Sequence, residues 1–108
     1  MHELALIEGV VDHVVERIDA RVTRVCLEIG ELAGVAVDAL RFCFGVCTEA
    51  TTLAGAELEI VRVPARARCE TCGSEQPTRS LAAPCACGSF ARVLVTGDEL
   101  RLTHVEVI

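Results

Sequence analysis

A chain of 108 residues, 52% of them hydrophobic, can bury one modest core and hardly two. Its net charge is -6 and its ten Lys and Arg residues are scattered, so it lacks the basic stripe that holds a nucleic-acid backbone. No apolar run approaches the roughly 18 to 20 residues of a membrane span, and the start Met1-His2-Glu3-Leu4 lacks the basic residues and cleavage site of a secretory signal.

Met1 to Ile7 reads as a short strand or the lead-in to a helix. From Ile7 the apolar positions Ile7, Val10, Val11, Val14, Val15 and Ile18 recur at helical spacing, with Glu8, Asp12, His13, Glu16 and Arg17 between them. His13 falls on the polar side and reads as a solvated surface histidine. Val25, Leu27 and Ile29 alternate with Arg24, Cys26 and Glu28, which predicts a strand with one buried face, ending at a Gly30–Gly34 turn.

Val37, Leu40, Cys43, Phe44 and Cys47 predict a second helix. Cys43 and Cys47, one turn apart beside Leu40 and Phe44, read as buried thiols acting as small hydrophobes, though such a pair can in principle chelate a metal. Cys26 reads likewise as a buried thiol. A linker, Thr51 to Gly55, leads to a β-branched strand, Leu58 to Val63, closed by Pro64. Phe90 to Val95 has apolar character, Gly97-Asp98 is a turn signal, and Leu100 to Val107 alternates as a strand whose apolar phase changes near His104. The expected class is α+β: a small mixed β-sheet with two helices on one face.

Into this sheet is set Cys69-Glu70-Thr71-Cys72-Gly73, answered by Cys85-Ala86-Cys87-Gly88. The pattern C-x2-C-x12-C-x-C can deliver four thiolates to one tetrahedral ion, usually zinc at about 2.3 Å Zn–S. Gly73 to Pro84 has almost no periodic apolar residues, so an ion is what would hold it compact. The expected division is an α/β domain over 1–67, completed by 97–108, and a zinc-ribbon-like insert over 68–96. The second pair is one residue short of the usual knuckle and must bend more tightly, with Pro84 stiffening its entry. A disulfide pair or spare buried thiols are the structural alternatives. The odd cysteine count of seven and the lack of a signal favour the cytoplasm, where thiols stay reduced.

Met1-His2-Glu3 is a candidate second site. A free α-amine, the main-chain nitrogens after it and the His2 imidazole can form small chelate rings around Ni(II) or Cu(II), which favour planar nitrogen donors. Loss of an amide proton is needed, so affinity should fall in acid.

Met1-His2-Glu3-Leu4, Val25 to Val35 (VCLEIGELAGV), Ala39-Leu40-Arg41-Phe42, Val63 to Cys69 (VPARARC) and Cys87-Gly88-Ser89 before a last strand occur in one order along nearly the whole chain. Together these blocks resemble the HypA/HybF family of hydrogenase-maturation nickel metallochaperones. The resemblance implies a non-enzymatic carrier that delivers Ni(II) to the precursor of the [NiFe]-hydrogenase large subunit, working with a maturation GTPase. It implies nickel at Met1, His2 and Glu3, and structural Zn(II) on Cys69, Cys72, Cys85 and Cys87. The family's second pair is Cys-Pro-x-Cys, whereas this chain has Pro84-Cys85-Ala86-Cys87, so Cys87 matches cleanly and Cys85 matches in element and not in register. Homodimer formation is left open.

Two other readings fit four cysteines. A rubredoxin-type iron centre is an electron carrier, but it wants packed aromatics where this insert has Phe90 and the chain has no Trp or Tyr. A zinc-ribbon interaction module wants a basic or aromatic face, and the insert offers few arginines: Arg68, Arg79 and Arg92. No Ser/His/Asp or Cys/His arrangement for an enzyme is readable.

Overall fold

The computed structural model describes residues 2–108, and Met1 lies outside the described residues. The elements run α1 (Glu3–Arg17), β1 (Val22–Gly30), α2 (Val37–Cys47), β2 (Glu57–Val63), β3 (Arg66–Cys69), β4 (Glu75–Pro77), β5 (Arg92–Thr96) and β6 (Leu100–Val107). They form two compact units. One takes the residues up to Leu27 with Gly34–Val61 and Arg101–Ile108, and the other takes Glu28–Ala33 with Arg62–Leu100.

In the first unit α1 packs on α2. Ile7, Val11 and Val14 of α1, Leu40 and Phe44 of α2, and Val25 and Leu27 of β1 are buried, as the helical and alternating spacings predict, and Val22 at the start of β1 is buried as well. The first helix begins at Glu3, so residues 3–7 are helical and not a strand, and the start lies four residues before the helical spacing that begins at Ile7. Glu3, Leu4, Ala5 and Leu6 hold no helix breaker, and a carboxylate in the first turn suits the positive end of the helix dipole. At the far end of α2 the Phe44 carbonyl accepts both the Thr48 N–H at 3.1 Å and the Thr48 hydroxyl at 2.7 Å, so the hydroxyl of the buried Thr48 is satisfied by the helix's own last turn.

The larger sheet has the order β2-β1-β6. Val22 N–H donates to Thr52 O at one end and Glu31 N–H to Val63 O at the other, so β1 and β2 run parallel across the α2 crossover. Gly30 N–H donates to Glu99 O and Ile108 N–H to Arg21 O, so β6 runs antiparallel to β1 and the sheet is mixed as expected. Arg24 on β1 reaches Glu57 at 2.9 Å, Glu59 at 3.0 Å and Glu106 at 3.6 Å, tying the three strands together.

The second unit contains a small antiparallel sheet of order β4-β3-β5, with Ala67 opposite Gln76 on one side and Leu94 on the other. The sequence shows no sign of β4, whose three residues are all exposed. Ile29 is the one large apolar side chain buried here, beside Ala65, Ala67, Cys69 and Cys85. So thin an apolar core leaves the cysteines to hold the unit together. No helix among the described residues is long and apolar enough to cross a membrane.

Candidate metal centres

Cys69 is the last residue of β3, and Cys72 stands in the turn after it. That turn closes with Gly73 N–H on the Cys69 carbonyl at 2.8 Å, four residues apart, with Gly73 at φ 76°. The second knuckle closes one residue sooner. Gly88 N–H donates to the Cys85 carbonyl at 2.8 Å across three residues, with Gly88 at φ 90°. A side chain at either glycine would oppose that left-handed backbone. The tighter turn lets the one-residue spacer of Cys85-Ala86-Cys87 present both sulfurs to the same point. Between the knuckles the Thr71 and Ser89 hydroxyls lie 2.8 Å apart, and Glu70 N–H donates to Ala91 O.

All four sulfurs lie within 4.8 Å of one another, with Cys69–Cys87 and Cys72–Cys85 each at 3.7 Å. Four sulfurs placed about 2.3 Å from a common centre at the corners of a tetrahedron stand about 3.8 Å apart. The two closest edges therefore have the size of a tetrathiolate cage. These contacts exceed a disulfide bond of about 2.05 Å, and all seven cysteines are free. Each pair gives one buried sulfur, Cys69 or Cys85, and one exposed residue, Cys72 or Cys87.

The protonation of the cage is uneven. The Cys69 thiol is pulled down to about 6, chiefly because the Cys72 N–H donates to its sulfur at 3.5 Å. At Cys87 the Ser89 N–H acts to lower the pKa, but the facing Cys69 sulfur, burial and the two other sulfurs outweigh it and push the thiol up to about 11. One corner is thus a ready thiolate, and an incoming dication displaces the protons of the rest.

The N-terminal candidates lie in the other unit. His2 is exposed and occupies the N-cap of α1, its carbonyl accepting the Leu6 N–H at 3.2 Å. Glu3 opens the helix, and its carboxylate accepts the Ala36 N–H at the N-cap of α2 at 3.1 Å. That hydrogen bond, more than any other influence, holds the Glu3 pKa below the usual carboxylate range. The contact to Ala36 joins positions 33 apart and left no trace in the sequence. Main-chain N–H groups in the first turn have no carbonyl four residues before them, so their nitrogens are not committed to the helix. Among the described residues, the four cysteines are the convergent set of three or more metal-ligating side chains.

His13 and His104 are exposed and line one groove with Val14, Arg17 and Val105. His104 Nδ1 sits 3.2 Å from the Thr103 hydroxyl. Cys26 is buried as expected. Cys43 and Cys47 are half-buried, short of the full burial expected of them. Phe90, the one aromatic residue of the insert, is 68% exposed.

A family model described as HypA, hydrogenase/urease nickel incorporation, metallochaperone, matches residues 1–107. The chain is similar to the hydrogenase maturation factor HypA of Geobacter metallireducens, at 46% identity over 109 residues and 99% of each chain. It is 43% identical to that of Nostoc punctiforme over 108 residues, covering 99% of this chain and 96% of the relative. Its fold is similar to the solution structure of the Ni metallochaperone HypA from Helicobacter pylori, with TM-score 0.66 and 21% identity, covering 100% of this chain and 98% of that one.

Proposed function

The chain belongs to the HypA family of nickel-incorporation metallochaperones, and from that premise we propose that it carries Ni(II) at Met1, His2 and Glu3 for delivery to the [NiFe]-hydrogenase large-subunit precursor. The observation that carries this reading is the placement of His2 at an exposed helix N-cap, followed by main-chain nitrogens that have no helical partner. An imidazole, the α-amine and those nitrogens form a ligand set suited to Ni(II), and the Glu3 carboxylate stands beside it. A site at a chain end keeps open faces, through which an incoming ligand can take the cargo by exchange. The protein acts as a carrier and not as an enzyme, in the cytoplasm, where its seven free cysteines stay reduced.

In this reading Cys69, Cys72, Cys85 and Cys87 hold Zn(II), whose part is structural. The size of the sulfur tetrahedron fits that ion, and four protein ligands leave no coordination position open for chemistry. The exposed Phe90 favours zinc over a rubredoxin-type iron centre, which packs aromatics around its sulfurs. A maturation GTPase is the second partner, and the excess of acidic residues supplies the surface that meets it.

The test is transfer. Nickel-loaded protein is mixed with the metal-free large-subunit precursor in the presence of a chelator that outcompetes free Ni(II), and nickel in the precursor is measured. Nickel arriving despite the chelator supports direct delivery. Transfer abolished by the chelator contradicts it.

A further inference from the structure

Three thiols remain outside the cage and the nickel site: Cys26, buried in β1, and the pair Cys43 and Cys47. Cys43 and Cys47 lie one turn apart on α2, both half-buried, and Cys47 is near enough to α1 to feel the charges of Glu8 and Asp12. Side chains four apart on a helix have Cβ atoms about 5–6 Å from each other. A disulfide requires about 3.5–4.5 Å, so this pair does not close on itself without distorting the helix. Two sulfur–metal bonds of about 2.3 Å span about 4.6 Å, which side chains on Cβ atoms that far apart can bracket.

We propose that Cys43 and Cys47 form a second soft-metal site, taking a thiophilic monovalent cation of low coordination number, of which Cu(I) is the representative. The low coordination follows from what surrounds them. Glu8 and Asp12, a turn apart on α1, act electrostatically on Cys47, yet these carboxylates and the two sulfurs do not converge into a cage as the four insert cysteines do. Two sulfurs without a third or fourth donor leave a tetrahedral ion half-coordinated, whereas a two-coordinate cation is complete. Thiolate ligands select such soft cations. The neighbouring carboxylates add a field that draws cations to this seam. Burial, with Glu8, Cys43 and Asp12, keeps the Cys47 thiol pKa above its ordinary value, so an arriving cation displaces a thiol proton as it binds. Half-burial matters here too: the sulfurs are reachable from solvent yet partly shielded from competing ligands.

The experiment uses the untagged, zinc-loaded full chain under anaerobic conditions, titrated with Cu(I) buffered by a competing chelator, with copper and zinc measured on the recovered protein. A single Cu(I) bound with zinc retained is expected. The double variant Cys43→Ser, Cys47→Ser should lose at least about 100-fold in Cu(I) affinity, beyond the 10–100-fold that follows loss of a mere supporting group. As a check independent of any variant, mass-spectrometric mapping of alkylation on the wild-type chain should show Cys43 and Cys47 protected once Cu(I) is added. Copper uptake matched by zinc release, equal uptake by the double variant, or protection confined to the other cysteines would each overturn the assignment.

Discussion

Replacement of Gly30 by alanine puts the second unit under a sharp test. A Cβ at this position would stand 2.1 Å from both the carbonyl carbon and oxygen of Gly97 and 2.5 Å from the Asp98 nitrogen. Ordinary contact begins near 3.5 Å, so the two backbones must part by about 1.4 Å. Two hydrogen bonds span this approach: Gly30 N–H to Glu99 O at 2.8 Å and Leu32 N–H to Gly97 O at 2.7 Å. Stretched by that amount, both pass out of bonding range. Each lost bond costs about 1 kcal/mol net, and overpacking adds about 1–3 kcal/mol, so Gly30→Ala should destabilise by about 3–5 kcal/mol. Gly9 provides the opposite case. It lies inside α1 with nothing within 4 Å of its would-be Cβ, so Gly9→Ala should stabilise by about 1 kcal/mol from helix propensity alone. Urea unfolding of the zinc-loaded protein measures both, and amide exchange at Gly30 and Leu32 localises the first effect. A Gly30→Ala protein within about 0.5 kcal/mol of wild type, the range of an ordinary surface change, would refute the reasoning.

Removal of metal by a strong chelator should release amide protection in β3 and β5 while α1, α2 and β1 keep theirs, because the cysteine unit buries Ile29 as its one large apolar side chain; hydrogen exchange with and without zinc reads this directly. Leu40→Ala, at a fully buried position, should cost about 2–5 kcal/mol, whereas Phe42→Ala, at 74% exposure on the same helix, should stay within about 0.5 kcal/mol in denaturant titrations. Glu3, whose folded pKa is depressed by the Ala36 N–H, contributes stability that is present above the ordinary carboxylate pKa and lost as pH falls through the folded value. Glu3→Gln should therefore flatten the acid limb of the stability–pH curve of the nickel-free protein.

The periodic elements were legible in the sequence because burial follows spacing. Leu40 and Phe44 are buried as their three- and four-residue intervals require, and Val25, Leu27 and Ile29 as their alternation requires. What stayed hidden rests on geometry that periodicity does not encode. Before Val10 the apolar residues Leu4-Ala5-Leu6-Ile7 form an unbroken run that suits a strand as well as a helix, so spacing alone does not decide the first turn of α1. β4 is a three-residue exposed strand held by its partner β3, with no pattern of its own. The short Cys85-Ala86-Cys87 pair looked strained on spacing alone, and only the tighter Gly88 turn explains how both sulfurs reach the cage. Spacing also assigned Cys43 and Cys47 to the apolar side of α2 without saying how deep that side lies, and they are only half-buried there.

The central claim is that the chain's first residues grip a transferable nickel ion while the sulfur cage serves the fold. Its most direct measurement is the binding of Ni(II) to zinc-loaded protein with an unblocked N-terminal amine, side by side with His2→Ala, by calorimetry and absorption spectroscopy. Nickel affinity that falls at least about tenfold in the variant, with zinc content unchanged, is the predicted result. Equal Ni(II) affinity in the two proteins would contradict it.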